Sequence, residues 1–420
     1  MNNKLKLLIY SDCHIYGGSE RLMSFLIRNQ IIQQQYNITF AYRIHKIYQE
    51  GVNNEYNDTG KKDFLFPVSI LSNATIFHKI NLLKIPDILK KIIKFPLYFI
   101  DKVGVYFIYN LFSQIIILKK ISPDIIHINN GGYPGAKSCN TMVVAAKLLH
   151  FKNIIYQVNN MARKPLNYFN KLYDSFIDKN VSCFITASEQ VKVKLVKERK
   201  FNLGKIKQVP NTVIDEIPSL LREEVLETLL IKQTDFILCT VGFLSKRKGQ
   251  KFLIEALHQI SSNHPDIYKS IRLLLVGDGE EEQYLKEYVE ELELGEHVYF
   301  LGYQKRSVDY INACDLFVLP SVADEDMPLV VLTAMSKGKI VIATDFFGIR
   351  EEIEDGVSGV LVSPNIETLS ESLTNKIVDL YHNRKRSFGE EAQKRFNKLF
   401  SNQVYGQSIV NIYNNVIEQN

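Results

Sequence analysis

Short apolar runs alternate with longer amphipathic stretches along almost the whole chain. Leu5–Ser11 is apolar and is followed by Gly17-Gly18-Ser19-Glu20-Arg21 and an amphipathic stretch through Ile32. Runs of the same β-rich kind recur at Ile38–Tyr42, Asp124–Ile128, Asn153–Val158, Cys183–Ala187 and Ile206–Val209, with helical patterns between most of them. The second half repeats the scheme more cleanly. Phe236–Val241, Arg272–Val276, Val298–Leu301, Leu316–Leu319, Ile340–Ala343 and Gly359–Val362 predict strands. Gln250–Ile260, Glu280–Leu292, Val308–Ala313, Pro328–Ser336 and Ile349–Glu354 predict helices. Within Gln250–Ile260, the residues Leu253, Ala256, Leu257 and Ile260 fall at helical spacing and define one apolar face. This alternation implies mostly parallel sheets covered by helices on both faces, an α/β fold.

A chain of 420 residues exceeds what one core usually supports, so two domains are expected. The polar stretch Asp215–Thr234 separates the halves. It gives an N-terminal domain of residues 1–214 and a C-terminal domain of residues 215–395. Residues 396–420 carry apolar side chains at mixed helical spacing and predict a last helix that packs across both domains.

One segment breaks the alternation. Residues 61–120 are rich in Ile, Phe, Leu and Tyr and carry ten lysines against three aspartates, a local charge of +7. Basic, apolar helices of this sort lie in a membrane interface facing anionic lipid. The other reading is a set of core-packing helices with a solvated lysine face. The one-sided charge leans towards the membrane.

Composition narrows the rest. A hydrophobic content of 46% and a charged content of 23% fit a soluble globular protein. The net charge of +5 is small for this length, and without a concentrated basic face it argues against nucleic acid as a partner. The five cysteines are scattered and form no Cys-x-x-Cys pair, which fits buried thiols in a reducing cytoplasm. The first apolar run is too short for a secretory signal, and no uncharged apolar stretch is long enough to cross a bilayer. The expected location is cytoplasmic, peripheral on the inner face of the cell membrane if the basic segment binds lipid. The nine histidines are dispersed, without metal-ligand spacing, and no metal is expected.

Four loops follow predicted strands. Gly17-Gly18 opens a helix, where free amides and the helix dipole favour an anion; a plain tight turn is the alternative. Gly277-Asp278-Gly279 lacks the full G-x-G-x-x-G spacing and reads as a tight strand-to-helix turn. Gly242 to Gly249 places Lys246, Arg247 and Lys248 at the carboxyl end of a buried strand, where open α/β sheets bind ligands. A cation there neutralises a diphosphate leaving group. Finally, Pro320 to Pro328 carries Asp324, Glu325 and Asp326 ahead of a helix whose first amides, at Leu329 and Val330, point towards an anion. The carboxylates serve as dipole partners, or Glu325 holds a sugar hydroxyl. Thr333 lies one turn on, on the same face.

The ordered set Gly242…Lys248-Gly249, Gly277-Asp278-Gly279-Glu280, Pro320-Ser321…Glu325…Pro328-Leu329-Val330-Val331-Leu332-Thr333, and Thr344-Asp345…Gly348-Ile349…Glu354-Asp355-Gly356…Gly359 resembles the family-4 retaining glycosyltransferases of GT-B fold. The likeness extends into the first half through Gly17-Gly18-Ser19-Glu20-Arg21, the strand ending at His127, Ala187-Ser188-Glu189 and Pro210-Asn211. The resemblance implies two facing doubly wound Rossmann-like domains with a C-terminal helix crossing back. It implies that the C-terminal domain holds a UDP- or GDP-sugar and that the N-terminal domain presents the acceptor. Lys248, Gly242 and Arg247 would then serve the diphosphate, with the amides of Leu329 and Val330 behind Asp326 and Pro328. Glu325 would contact the donor sugar, Gly17 and Gly18 would sit against the diphosphate, and His127 and Asn159 would lie on the acceptor side. No metal or other cofactor is implied.

Three positions depart from the family pattern. Phe243 stands where an arginine is usual, Thr333 where a ribose-binding glutamate is usual, and Asn159-Asn160 near a usual histidine. The expected function is retaining transfer of a sugar from a nucleotide diphosphate to a hydroxyl of a glycan or lipid-linked glycan in surface polysaccharide synthesis. The alternative, motivated by Phe243 and Thr333, is a catalytically weak GT-B protein acting as a partner subunit in a glycan-assembly complex.

Overall fold

The apolar runs become the strands of two separate parallel sheets. A computed structural model describes residues 4–13, 16–57, 62–102, 104–323, 325–346, 348–383 and 386–419. Asp324 and Lys61, both singled out in the sequence, lie outside the described residues. The chain divides into two compact units, Met1–Val209 with Gly406–Asn420, and Pro210–Tyr405. The stretch Asp215–Thr234 therefore falls inside the second unit. There it contains the helix Arg222–Thr228, whose Arg222 binds Asp315 at 3.0 Å. The last helix, Asn402–Glu418, belongs to the first unit from Gly406 onwards.

In the first unit the strands are β1 (Leu5–Ser11), β2 (Tyr36–Arg43), β3 (Leu65–Val68), β4 (Ile125–Asn130), β5 (Ile154–Val158), β6 (Cys183–Thr186) and β7 (Ile206–Gln208). They lie in the order β3-β2-β1-β4-β5-β6-β7, with every pairing parallel. Helices such as Lys137–Leu148 cover the sheet, so its central strands are buried on both faces and read as unbroken apolar runs. Leu7, Leu8, Ile9 and Tyr10 are all fully buried. Strand β3 has no counterpart in the apolar pattern because it carries Pro67. It pairs only with β2, and proline is tolerated on such an edge because one row of its amides needs no sheet partner.

The second unit contains β8 (Phe236–Val241), β9 (Ile271–Val276), β10 (Val298–Phe300), β11 (Leu316–Leu319), β12 (Ile340–Thr344) and β13 (Val360–Val362). Their order is β10-β9-β8-β11-β12-β13, again all parallel. Leu238, Leu273, Leu275 and Val318 from the sheet pack with Leu253, Leu257 and Ile260 of the helix Gln250–Asn263, the face expected from its spacing.

Both sheets have a point where strand order reverses, between β1 and β4 and between β8 and β11. Loops leaving the two flanking strands part to opposite faces there. The crevice between them is where open α/β sheets bind ligands.

Buried charge in the first unit is met by opposite charge at Arg199 and Asp174. Arg199 lies 2.9 Å from Asp174, with both side chains under 5% exposed, and Tyr133 donates its hydroxyl to the other oxygen of Asp174 at 2.9 Å. Removing the cation strands a buried carboxylate. Arg199→Ala is expected to cost about 3–5 kcal/mol, read as a lower urea midpoint, with Asp174→Asn recovering part of the loss in the double variant.

Candidate functional site

The reversal point of the second sheet holds the charged loops. Strand β8 leads into Gly242. Leu244, almost wholly buried, then anchors the loop by exchanging backbone bonds with Asp278 and Glu281. The loop continues as a single 3₁₀ turn, Lys246–Lys248, and stops at Gly249 with φ of 68°. A Cβ at Gly249 would sit 2.0 Å from the carbonyl oxygen of Pro320, so only glycine permits this turn and this approach to the loop after β11. The amide of Val322 donates to the carbonyl of Arg247 at 2.8 Å and joins the two loops.

Charge completes the junction. Lys248 has an 11% exposed side chain, and its Nζ lies 2.5 Å from Oε1 of Glu325, itself 8% exposed. Nη1 of Arg247 reaches the same oxygen at 2.8 Å, and the Ser321 hydroxyl donates to it at 3.2 Å. Thr344, at the end of β12, donates to the carbonyl of Ser321 at 2.6 Å and fixes that turn. Lys248 keeps further N–H directions after one is used on Glu325, so its ammonium can also engage an anion.

The helix Leu329–Ser336 begins directly after Pro328, which sits at its N-cap in an extended conformation with no side-chain cap. Half-buried Leu329 and Val330 thus supply its first amides. Thr333 is half-buried and donates its hydroxyl to the carbonyl of Leu329 at 2.9 Å, which leaves the oxygen lone pairs for an incoming donor. Asp326 is buried next to Gly348, whose Cβ, if present, would meet the Asp326 carbonyl at 2.5 Å. Asn211 holds the same loop by donating to the carbonyl of Met327 at 2.8 Å. Lys248, Arg247, Glu325, Asp326, Pro328, Leu329, Val330 and Thr333 are therefore gathered on two adjoining loops and one helix start.

Glu352 is a residue that sequence reasoning passed over. It ends the short helix Ile349–Glu352 and is completely buried, and neither carboxylate oxygen has a hydrogen-bond partner among the described residues. Burial first, then the charges of Asp326 and Glu325, push its carboxyl well above the usual carboxylate range. In sequence it belongs to a run of charged residues that reads as a solvated surface, and no local signal marks it.

At the reversal point of the first sheet, amides and hydroxyls lie beside a buried ion pair, Asp12 with Arg43. Glu20 is buried and accepts from the Gly17 amide at 3.1 Å and the Ser19 hydroxyl at 2.8 Å, so it folds back to close the turn before the helix Gly18–Ile27. Burial pushes its carboxyl upward, against these hydrogen bonds. Gly18 is exposed in the first turn. Asn129 donates to the Ser11 hydroxyl at 3.0 Å, and Asn159 donates to Asn129 at 2.7 Å. Gln157 donates to Asn159 at 2.9 Å. Half-buried Asn159 is thus tied to the ends of β1 and β4.

His127, expected on the acceptor side, lies instead in the interior of the first unit. It is fully buried, with Nδ1 at 2.7 Å from the Tyr413 hydroxyl and Nε2 at 3.0 Å from Oε1 of Gln157. Both ring nitrogens are engaged, and the residue anchors the C-terminal helix to β4. Four of the five thiols are buried, as their apolar neighbours implied, and Cys13 is half-exposed. Among the described residues no group of three or more His, Cys, Asp or Glu side chains is placed to hold a metal ion.

The fold has counterparts among known proteins. Residues 222–395 match the family described as glycosyl transferases group 1. An Escherichia coli UDP-Gal:alpha-D-GlcNAc-diphosphoundecaprenol alpha-1,3-galactosyltransferase is 28% identical over 267 residues, covering 61% of this chain and 66% of that protein. A phosphatidyl-myo-inositol mannosyltransferase of Mycobacterium leprae is 29% identical over 188 residues, 42% of this chain and 46% of the relative. The matched stretches thus span less than two thirds of these curated relatives. Among solved structures, a glycosyltransferase from Rickettsia africae superposes with a TM-score of 0.76 at 18% identity, over all of both chains. Anabaena Alr3699/HepE, crystallised with UDP, gives 0.72 at 18% identity over 98% of this chain and 100% of its own. The fold is GT-B. Residues 222–395 are similar to the group 1 glycosyl transferases, and the chain resembles the family-4 enzymes of that fold, as its motifs implied.

The burial of His127 has a consequence in pH. Desolvation lowers its pKa to about 4, against the 6.5 of a free histidine. The unfolded chain therefore binds a proton that the folded chain refuses between these values, so this residue's contribution is intact above pH 6.5 and declines as pH falls towards 4. Compared with His127→Asn, the parent should lose about 1 kcal/mol of relative stability per pH unit across that window and none above it, measured by urea unfolding at several pH values.

Proposed function

We propose that this protein is a retaining glycosyltransferase that moves a sugar from a UDP- or GDP-sugar to a hydroxyl of a glycan or lipid-linked glycan in surface polysaccharide synthesis. The observation that carries the proposal is the buried Lys248 ammonium at the reversal point of the second sheet, joined through Glu325 to Arg247 and set beside the open start of the helix Leu329–Ser336. Two cations and a helix N-terminus at one strand end suit a diphosphate. The relatives lend support, since one is named for a UDP-galactose donor and a diphosphoundecaprenol acceptor and another was crystallised with UDP and glucose. A lipid-linked acceptor would draw the enzyme to the cytoplasmic face of the cell membrane.

The chemistry follows from these groups. The bond from the sugar's anomeric carbon to the diphosphate breaks, and the acceptor oxygen bonds to the same face of that carbon. The acceptor proton passes to the departing phosphate oxygen. Lys248, Arg247 and the amides of Leu329 and Val330 stabilise the charge that builds on the diphosphate as it leaves. Glu325, with the cations on one oxygen, has its other oxygen for a donor sugar hydroxyl. Thr333 accepts one ribose hydrogen bond, more weakly than a carboxylate would. No metal takes part in this scheme.

The full chain should release nucleoside diphosphate from one member of a panel of UDP- and GDP-sugars, and EDTA should leave that rate unchanged. Lys248→Ala should lower turnover by about 10²–10³-fold, the scale of losing a charge-stabilising donor. Proton NMR of the product should show the donor's anomeric configuration; an inverted product would overturn retention. Wild-type transfer rates in both Lys248→Ala and Glu325→Ala would overturn the site, and turnover of no donor would favour the partner-subunit reading.

A further inference from the structure

The two helices Asp87–Lys102 and Val105–Ile121 each carry an exposed apolar stripe. On the first, Ile88, Ile92, Phe95 and Phe99 fall at i, i+4, i+7 and i+11, one stripe, and each is between 60 and 77% exposed. The opposite side of that helix carries half-buried Lys90 and Lys94. Lys94 donates to Asn81 at 2.6 Å, with its ammonium 5.5 Å from the centre of the Phe77 ring. The second helix also exposes an apolar stripe, although its other face packs in the core. Val105, Ile108, Phe112 and Ile116 form a stripe between 47 and 65% exposed. Its buried side packs Ile117 and Leu118 into the core together with Asn110, which exchanges two hydrogen bonds with the backbone of Leu71, and Gln114, which donates to Tyr10 and Ser138. A water-facing helix places its apolar stripe towards the core. Here apolar stripes of Phe, Ile and Val face out from the two helices, contiguous enough to mark an interaction surface.

Charge identifies what covers this face. Lys79, Lys84, Lys91, Lys119 and Lys120 are exposed on the same segment. Of the acidic residues nearby, Asp101 is neutralised by Lys137 at 2.7 Å, and Asp87 pairs with Lys90 at 3.1 Å. A second copy of the chain would set lysine against lysine across a two-fold interface, since such contacts use the same patch on both subunits. A protein of opposite charge meets the lysines but leaves a bare aromatic and aliphatic stripe to be matched. An anionic bilayer meets both requirements: headgroup phosphates take the ammonium groups, and acyl chains take the stripe. No single described helix is long and apolar enough to cross a membrane. We infer that the helices Asp87–Lys102 and Val105–Ile121 dock the protein in the interface of an anionic lipid bilayer. The apolar stripes enter the acyl boundary, and the lysines lie at the headgroups.

Co-sedimentation of the full chain tests this. It should pellet with vesicles of phosphatidylglycerol and phosphatidylcholine, about tenfold less with phosphatidylcholine alone, and release as salt rises. Phe95→Ser with Phe99→Ser should abolish pelleting without changing the thermal midpoint, because both side chains face solvent. The chain has no tryptophan, so Phe95→Trp supplies a lone indole fluorophore. Its emission should shift to the blue with the anionic vesicles and be quenched by brominated acyl chains. A parent protein left in the supernatant at low salt, a double variant that pellets normally, or an unshifted indole emission from the Phe95→Trp variant would each overturn the inference. So would a dimer that the double variant dissociates while vesicles have no effect.

Discussion

The interaction on which the candidate donor site depends is the contact of one Glu325 oxygen with Lys248 and Arg247. A lysine ammonium with so little exposure would cost several kcal/mol of desolvation if left alone, and so would the carboxylate. Placed together at 2.5 Å they offset each other and bind the loop after β8 to the loop after β11. That closure relies on backbone details a few residues away. Gly249 must take a left-handed conformation to pass the Pro320 carbonyl, and Ser321 must be held by Thr344 to present its hydroxyl to Glu325. The result is a pair of cations held at the strand ends by one carboxylate. Pre-organised charge of this kind needs no rearrangement while leaving-group charge develops.

The two units share a topology and differ in what they place at the reversal point. The second uses ionic groups. The first uses a chain of amides and hydroxyls, Ser11, Asn129, Asn159 and Gln157, beside the buried Asp12–Arg43 pair and with Glu20 folded back on the Gly17 turn. Neutral groups that both donate and accept suit sugar hydroxyls, whereas fixed cations suit phosphate. The same scaffold thus offers two kinds of chemistry through loop content alone.

Much of this was legible in the sequence where a local rule applied. Strands β1, β8 and β11 begin and end where their apolar runs do, because a strand buried on both faces writes itself as a continuous run. The loop after β8 stood out in the sequence through three successive cations at a strand end. Strand β3 was not legible, since Pro67 argues against a strand unless its edge position is known. The placement of His127 was missed for a different reason. Its strand end looked accessible, but Tyr413, which closes over it, comes 286 residues later. Glu352 was hidden among solvated charges, and only the fold turns it inward beneath Asp326 and Glu325. The basic segment was recognised as unusual by composition, yet only the structure shows its apolar stripes facing outward.

The central claim is that the loops after β8 and β11 form a diphosphate site built on Lys248. Isothermal titration of the intact protein with UDP and with GDP tests it most directly. Saturable binding of one of them, weakened by at least tenfold in Lys248→Ala while the corresponding free nucleoside shows no such dependence, is the predicted result, since the lost contact is to phosphate. Equal affinity in parent and Lys248→Ala, or no binding of either nucleotide, would contradict it.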